Sequence, residues 1–191
     1  MKNLVLIFVL LFGWVLPASA LESAIKSPSV THTPIPQHKV VPELPSKKLH
    51  IRSIHTGETL EITFWKDGAY IPDALSRMNN LLRDHRSGDI TTMDPELFIL
   101  IHRLYDDLDA TGPIEIISGH RSRKTNNMLR QKGRKVAKRS QHILGKAMDI
   151  RIKSVSLKRL RDKVLSYGVG GVGYYPNSNF VHVDTGRPRF W

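Results

Sequence analysis

Hydrophobic and polar positions alternate with a different rhythm in each part of the chain. Leu4 to Leu16 is almost unbroken apolar sequence. Residues 21–48 show no period at all. From Leu49 a period of two sets in: Leu49, Ile51 and Ile54, then Leu60, Ile62 and Phe64, flank His55-Thr56-Gly57-Glu58. This pattern predicts a β-hairpin. The rhythm then lengthens. Ala74, Leu75, Met78, Leu81 and Leu82 follow Pro72-Asp73 at helical spacing, up to about Gly88. Leu97, Leu100, Ile101, Leu104, Tyr105 and Leu108 make a second helical face, stopped at Gly112-Pro113. Asp94 before Pro95 predicts an N-cap with proline in the first turn. Short strands are predicted at Ile114–Ile117, Ala147–Ile152, Val169–Tyr175 and Phe180–Asp184, with a helix from Ser156 to about Tyr167. The basic polar stretch between the first two of these strands carries no predicted element. Helices early and strands late define an α+β class. The expectation is a small antiparallel sheet that packs against helices and holds the site.

The apolar run at the start is thirteen residues long. A membrane-spanning helix needs about 20. Lys2 precedes it, Pro17 breaks it, and Ala18-Ser19-Ala20 supplies small residues for cleavage. Residues 1–20 therefore read as a secretory signal peptide cut after Ala20, and the expected location is the periplasm. No twin arginine precedes the run, which favours the general export route. Residues 21–48 read as a linker, with Pro28, Pro34, Pro36, Pro42 and Pro45 between small polar residues. One domain is expected from residue 49 to 191.

Composition narrows the chemistry. The 191 residues contain no cysteine, which excludes disulfides, thiolate metal sites and cysteine nucleophiles. Any metal must be held by His, Asp and Glu. Lys and Arg number 29 against 17 Asp and Glu, a net charge of +12 that becomes +11 without Lys2. Such a charge favours polyanionic neighbours. For an exported chain the expected partner is the wall, with its acidic polymers and carboxylate-bearing peptides, and not nucleic acid. Membrane association is expected to be peripheral at most.

Three segments carry reactive side chains: Ser118-Gly119-His120-Arg121-Ser122, Ser140 to Asp149, and Asn179 to Asp184. In the second, His142 and Asp149 are ligand types seven residues apart, with Gly145 allowing a turn between them. Asp149 and His182 both interrupt apolar strands, where an unpaired polar group is costly. Two His and one carboxylate, with water in the fourth place, form a catalytic zinc arrangement. Magnesium and calcium prefer oxygen-only shells. The same residues at this spacing also suit a structural hydrogen bond, so spacing alone leaves both readings open.

Ser140 to Asp149 reads S-x-H-x-x-G-x-A-x-D and resembles the motif of peptidase family M15 and its hedgehog-fold relatives. His55-Thr56-Gly57-Glu58, Ser118-Gly119-x-Arg121-Ser122, Gly170 to Pro176 and Ser178 to Gly186 extend the resemblance to the MepK-type murein endopeptidases. It covers Leu49 to Trp191. The resemblance implies a zinc-dependent hydrolase that opens peptide cross-links in peptidoglycan, with one catalytic Zn2+ held by His142, Asp149 and His182. It also implies that Arg121 polarises the scissile carbonyl or binds a substrate carboxylate; a surface ion pair is the plainer role for that residue. Carboxypeptidase trimming of stems, or wall binding without catalysis, are the alternatives. His120 stands where the family commonly has tyrosine and is a substrate contact or a packing residue. Tyr174 and Tyr175 are expected to line the cleft. Many members carry a basic Glu or His where this chain has Asn179 and Phe180. Asp184, two residues after His182 and so on the same strand face, is the expected general base. A role that only orients His182 is its alternative. Ser118, Ser122 and Ser140 are expected to cap turns.

Overall fold

The computed structural model describes residues 45–133 and 136–191. The expected signal peptide, and the linker up to residue 44, lie outside these residues. The first described strand, β1 (Ser46–Ser53), starts three residues before residue 49, the expected domain boundary, and runs through it. Leu49 and Ile51 point into the core from it. β1 turns at Gly57 into β2 (Thr59–Lys66), and the short β3 (Ala69–Tyr70) adds to its far edge. Two helices follow, α1 (Pro72–Leu81) and α2 (Pro95–Asp107). Asp94 caps α2 as expected: its carboxylate accepts from the Glu96 amide at 3.1 Å.

The chain then re-enters the sheet as β4 (Ile114–Ser118). After two helices it runs parallel to β1, since a strand reached by a crossover connection can return in the same direction. β5 (Ala147–Ile152) pairs antiparallel with β4. Helix α4 (Leu157–Ser166), capped by Ser156, leads to β6 (Gly171–Tyr175), β7 (Phe180–Asp184) and β8 (Arg189–Phe190). The sheet order is β3-β2-β1-β4-β5-β7-β6-β8. The α+β class stands. The sheet itself is larger than expected, with eight strands and parallel pairings at β1–β4 and β6–β8. No helix among the described residues is long and apolar enough to cross a membrane.

A further helix, α3 (Arg123–Gln131), occupies the basic stretch that carried no predicted element. Its buried side chains are Thr125 and Asn126, so no apolar period marks it. What fixes it is its start. Ser122 caps it by accepting from the Thr125 amide, and buried Asp84 accepts from the Ser122 amide at 3.0 Å. Burial alone would raise the Asp84 pKa. Hydrogen bonds from Thr125, the Arg86 and Ser122 amides and the Ser122 side chain hold it well below the ordinary carboxylate value. A depressed carboxylate pKa stabilises the fold at neutral pH, and that contribution fades as pH falls below about 4. Asp84→Asn is therefore expected to cost about 2 kcal/mol at pH 7, with the deficit shrinking towards pH 3. Urea unfolding of both proteins across that range would measure it.

Strand alternation positions the site. Met148, Ile150 and Ile152 of β5 and Val181 and Val183 of β7 belong to the core. Helix α4 packs across β5, β7 and β6 and touches α2. Asp149, His182 and Asp184 alternate with these core residues, so they take the other face of the sheet.

Candidate metal centre

Register brings the first two residues together. β5 and β7 pair antiparallel with Asp149 directly opposite His182. Cross-strand neighbours of this kind have Cβ atoms about 5 Å apart. His142 reaches them from a short 3-10 turn, Gln141–Leu144, just before β5. Ser140 caps that turn through the His142 amide. Gly145 closes it with φ of 69°, and a Cβ there would lie 2.5 Å from the Thr92 carbonyl oxygen. Only glycine fits both the left-handed backbone and the contact.

One ligand-type atom from each of His142, Asp149 and His182 lies within 4.8 Å of the others, and all three residues are buried. His142 Nε2 stands 3.2 Å from Asp149 Oδ1 and 3.1 Å from His182 Nδ1; His182 Nδ1 is 2.8 Å from Asp149 Oδ1. The outward nitrogens set the tautomers. His142 Nδ1 donates to the Gly119 carbonyl at 2.7 Å, and His182 Nε2 donates to Asp184 Oδ2 at 2.8 Å. Each ring thus turns a lone pair inward, towards a carboxylate oxygen. A proton on His182 Nδ1 relieves the repulsion between two of these acceptors, and a divalent ion is the cation that would serve all three at once.

The electrostatics point the same way. Burial lowers the His142 pKa and keeps that ring neutral despite Asp149. Burial also acts against charge on His182, yet Asp149 and Asp184 hold its pKa above the ordinary imidazole value. Burial would raise Asp149, but His142 and His182 outweigh it and hold the carboxyl well below its usual range. The pocket draws positive charge and supplies an ionised carboxylate to receive it.

Arg121 lies at the edge of this group, 9% exposed, with its guanidinium 3.6 Å from Asp149 Oδ2. Its Nε is buried without a partner. A cleft of about 340 Å³ opens over the group, lined by residues that include Arg121, Arg139, Gln141, Tyr175, Phe180, Arg189 and Trp191. Asp149 is the only carboxylate among the described residues lining it.

Three of the expected site residues fall elsewhere. His120 lies beneath the site; its Nδ1 bonds the His142 carbonyl at 3.1 Å, so it supports the 3-10 turn and does not face the cleft. Tyr174 and Tyr175 are neighbours on one strand and take opposite faces. Tyr175 lines the cleft, whereas Tyr174 packs against the core beneath Arg161. Asp184 requires the largest correction. It shares a face with His182, as expected, but it is fully buried behind the ring. Its carboxylate accepts from His182, from Arg189 at 2.5 and 3.1 Å, and from the Gly171 and Gly186 amides at 3.0 and 2.8 Å. With every lone pair directed at a donor, and outside the cleft lining, it is not placed to take a proton from water over the metal group. Burial acts to raise its pKa, but His182, Arg189 and the two amides hold it well below the ordinary value.

Sequence reasoning passed over Arg189, Phe180 as a cleft residue, and Trp191. No spacing rule marks them. Arg189 and Trp191 join the site through and just after β8, a two-residue strand that pairs with β6, and Phe180 joins it as the first residue of β7.

An aspartate and a histidine opposite each other on an antiparallel strand pair, a second histidine on the turn before it and a buried arginine beside them make the arrangement expected of an M15-type peptidase. The chain belongs to that family: residues 43–191 match the family model described as peptidoglycan L,D-endopeptidase MepK. Relatives of that name include those of Escherichia coli K12 and Shigella flexneri, each 45% identical over 143 residues, or 75% of this chain and 79% of the relative. A Haemophilus influenzae relative is 44% identical over 144 residues, covering 75% and 77%. No solved structure matches the chain.

Proposed function

We propose that this chain is a zinc-dependent murein endopeptidase of the periplasm that hydrolyses L,D peptide bonds in the cross-links of peptidoglycan. The family supports the reaction class, and the relatives' printed activity supports the bond. The single observation that carries the metal is the inward triangle of acceptors at His142 Nε2, His182 Nδ1 and Asp149 Oδ1. The ligand set suits zinc: two imidazoles and one carboxylate, leaving a position open to the cleft. Bound there, zinc would polarise a peptide carbonyl and make water nucleophilic at neutral pH.

The protein's own groups then divide the remaining work. The Gly119 carbonyl and Asp184 keep both rings in the tautomers that present lone pairs. Arg121 directs a fixed positive charge to the rim of the group, where charge would develop on the carbonyl oxygen during attack. Its burial strengthens that interaction because water does not screen it. Arg121→Lys keeps the charge but loses the planar fork. The expected result is a fall in kcat of about 10²-fold with little change in zinc content, read from hydrolysis rates and metal analysis. The exposed cations Arg123, Lys124, Arg130, Lys132, Lys138, Arg139 and Lys146 have no ion-pair partner among the described residues. Their combined field would draw the carboxylates of stem peptides towards the cleft.

The test is mass spectrometry of muropeptides after digestion of purified sacculi with and without zinc. Loss of cross-linked dimers with a gain of monomers supports the proposal. Loss of a terminal residue from uncross-linked stems, with dimers intact, would make the protein a carboxypeptidase. Pull-down on wall material with no product at all would reduce it to a binding module.

A further inference from the structure

The cleft carries an aromatic surface that the reaction chemistry does not use. Trp191 lies along β6, its amide donating to the Val172 carbonyl and its carbonyl accepting from the Tyr174 amide. Its indole Nε1 donates to the Tyr175 hydroxyl at 2.6 Å. Tyr175 in turn stacks on Phe180, with ring centroids 4.5 Å apart. The indole also approaches the ring of His182 at 5.2 Å, and the Arg189 guanidinium stands 5.1 Å from its centroid.

Gly173 makes the arrangement possible. A Cβ at that position would lie 2.7 and 2.8 Å from two indole carbons of Trp191 and 2.8 Å from Cε2 of Tyr175. Both rings therefore rest on bare backbone. Despite these contacts Trp191 remains 49% exposed, and all three aromatic residues line the cleft. A half-exposed tryptophan fixed by two backbone hydrogen bonds, one side-chain hydrogen bond and a ring contact loses little further entropy when it binds something. Arg121 reaches the metal group through Asp149, and Trp191 reaches it through His182. The two thus flank the group at different ligands, one cationic and one aromatic.

A cross-link between stems runs through a side-chain amine. The methylenes of that side chain give the leg approaching the scissile bond an apolar stretch, while the carboxylates of the stems are anionic. We propose that Trp191 and Tyr175, seated on Gly173, grip the aliphatic leg of the cross-link, while Arg139 on the cleft lining faces the carboxylates. This assignment rests on the endopeptidase reading above and makes the aromatic surface its determinant for cross-linked over linear substrate. Each methylene covered is worth about 0.8 kcal/mol, so a few of them account for a tenfold or larger preference.

The experiment uses the zinc-loaded full chain and a defined, sugar-free cross-linked stem peptide. Trp191→Ala is expected to raise KM about tenfold or more while kcat stays within twofold, the pattern of lost ground-state and transition-state binding together. Trp191→Phe should recover most of the loss. Zinc content, measured on each variant, should not change. A fall in kcat together with lost zinc, not rescued by phenylalanine, would overturn the proposal and reduce Trp191 to a support for His182. A KM penalty seen with intact sacculi but absent with the sugar-free peptide would also overturn it, by assigning the surface to glycan. Peptide binding is followed in parallel by indole fluorescence in a Trp14→Phe, Trp65→Phe background, which leaves Trp191 as the one indole of the chain. If the wild-type chain binds the peptide without cutting it, the endopeptidase reading fails while the titration of Trp191 still decides the aromatic grip.

Discussion

Asp149→Ala is expected to abolish both zinc binding and wall hydrolysis, with activity falling by more than 10³-fold. Asp149 is the charged member of the triangle, and its Oδ1 is 3.2 Å or less from both inward imidazole nitrogens. Without it two neutral rings remain beside the Arg121 cation, an environment that repels a divalent ion. Chelation of the wild type should give the same loss of activity, and added zinc should restore the wild type but not the variant. A second readout is independent of catalysis. A ligand that binds only the folded state stabilises it by about 4 kcal/mol at a thousand times its Kd. Zinc should therefore raise the wild-type melting temperature by several degrees and leave that of Asp149→Ala unmoved. Metal analysis, calorimetry and sacculus digestion on the same preparations check all three outcomes. Equal digestion by metal-free and zinc-loaded protein would remove the metal from the mechanism.

The His142, Asp149 and His182 group is legible in the sequence as candidates because each member breaks a strong local pattern, while spacing alone leaves a structural hydrogen bond open and the resemblance supplies the metal reading. Asp149 and His182 are polar residues in the middle of apolar strands, and His142 precedes a glycine whose positive φ closes a tight turn. The fold class was legible for the same reason: α2 and α4 announce themselves by capping residues and a regular apolar face. Elements without an apolar period were not. α3 buries Thr125 and Asn126, and β3 and β8 are two residues long. With β8 unseen, Arg189 and Trp191 could not be placed at the site. The role of Asp184 turned on this gap. Spacing correctly put its side chain on the face of His182, but that face holds both the cleft and the space behind the ring. The partner that decides between them, Arg189, is five residues away on a strand the periodicity does not reveal.

Asp184→Asn separates the two roles that spacing alone left open for this residue. If Asp184 were the general base, the variant would lose 10²- to 10⁴-fold in kcat at any zinc concentration. The geometry predicts a different result. The carboxylate accepts from His182 Nε2, which fixes the nitrogen that faces the metal. An amide retains one acceptor oxygen, but its NH2 must then face donors: Arg189 and the imidazole N–H at the Oδ2 position, or Arg189 and the Gly171 and Gly186 amides at the Oδ1 position. His182 is left free to tilt or to change tautomer, so zinc affinity should fall 10- to 100-fold, the usual effect of removing a carboxylate that orients a ligating histidine. At saturating zinc, kcat should return to within a fewfold of wild type. Asp184→Ala is a harsher change. It strips Arg189, itself about a third exposed, of its carboxylate and leaves the imidazole N–H and the Gly171 and Gly186 amides without their acceptor, a loss of about 1–3 kcal/mol. Zinc titrations of activity for both variants, with unfolding curves as control, distinguish weakened metal binding from lost chemistry. A kcat for Asp184→Asn that stays depressed at saturating zinc would return Asp184 to the reacting centre.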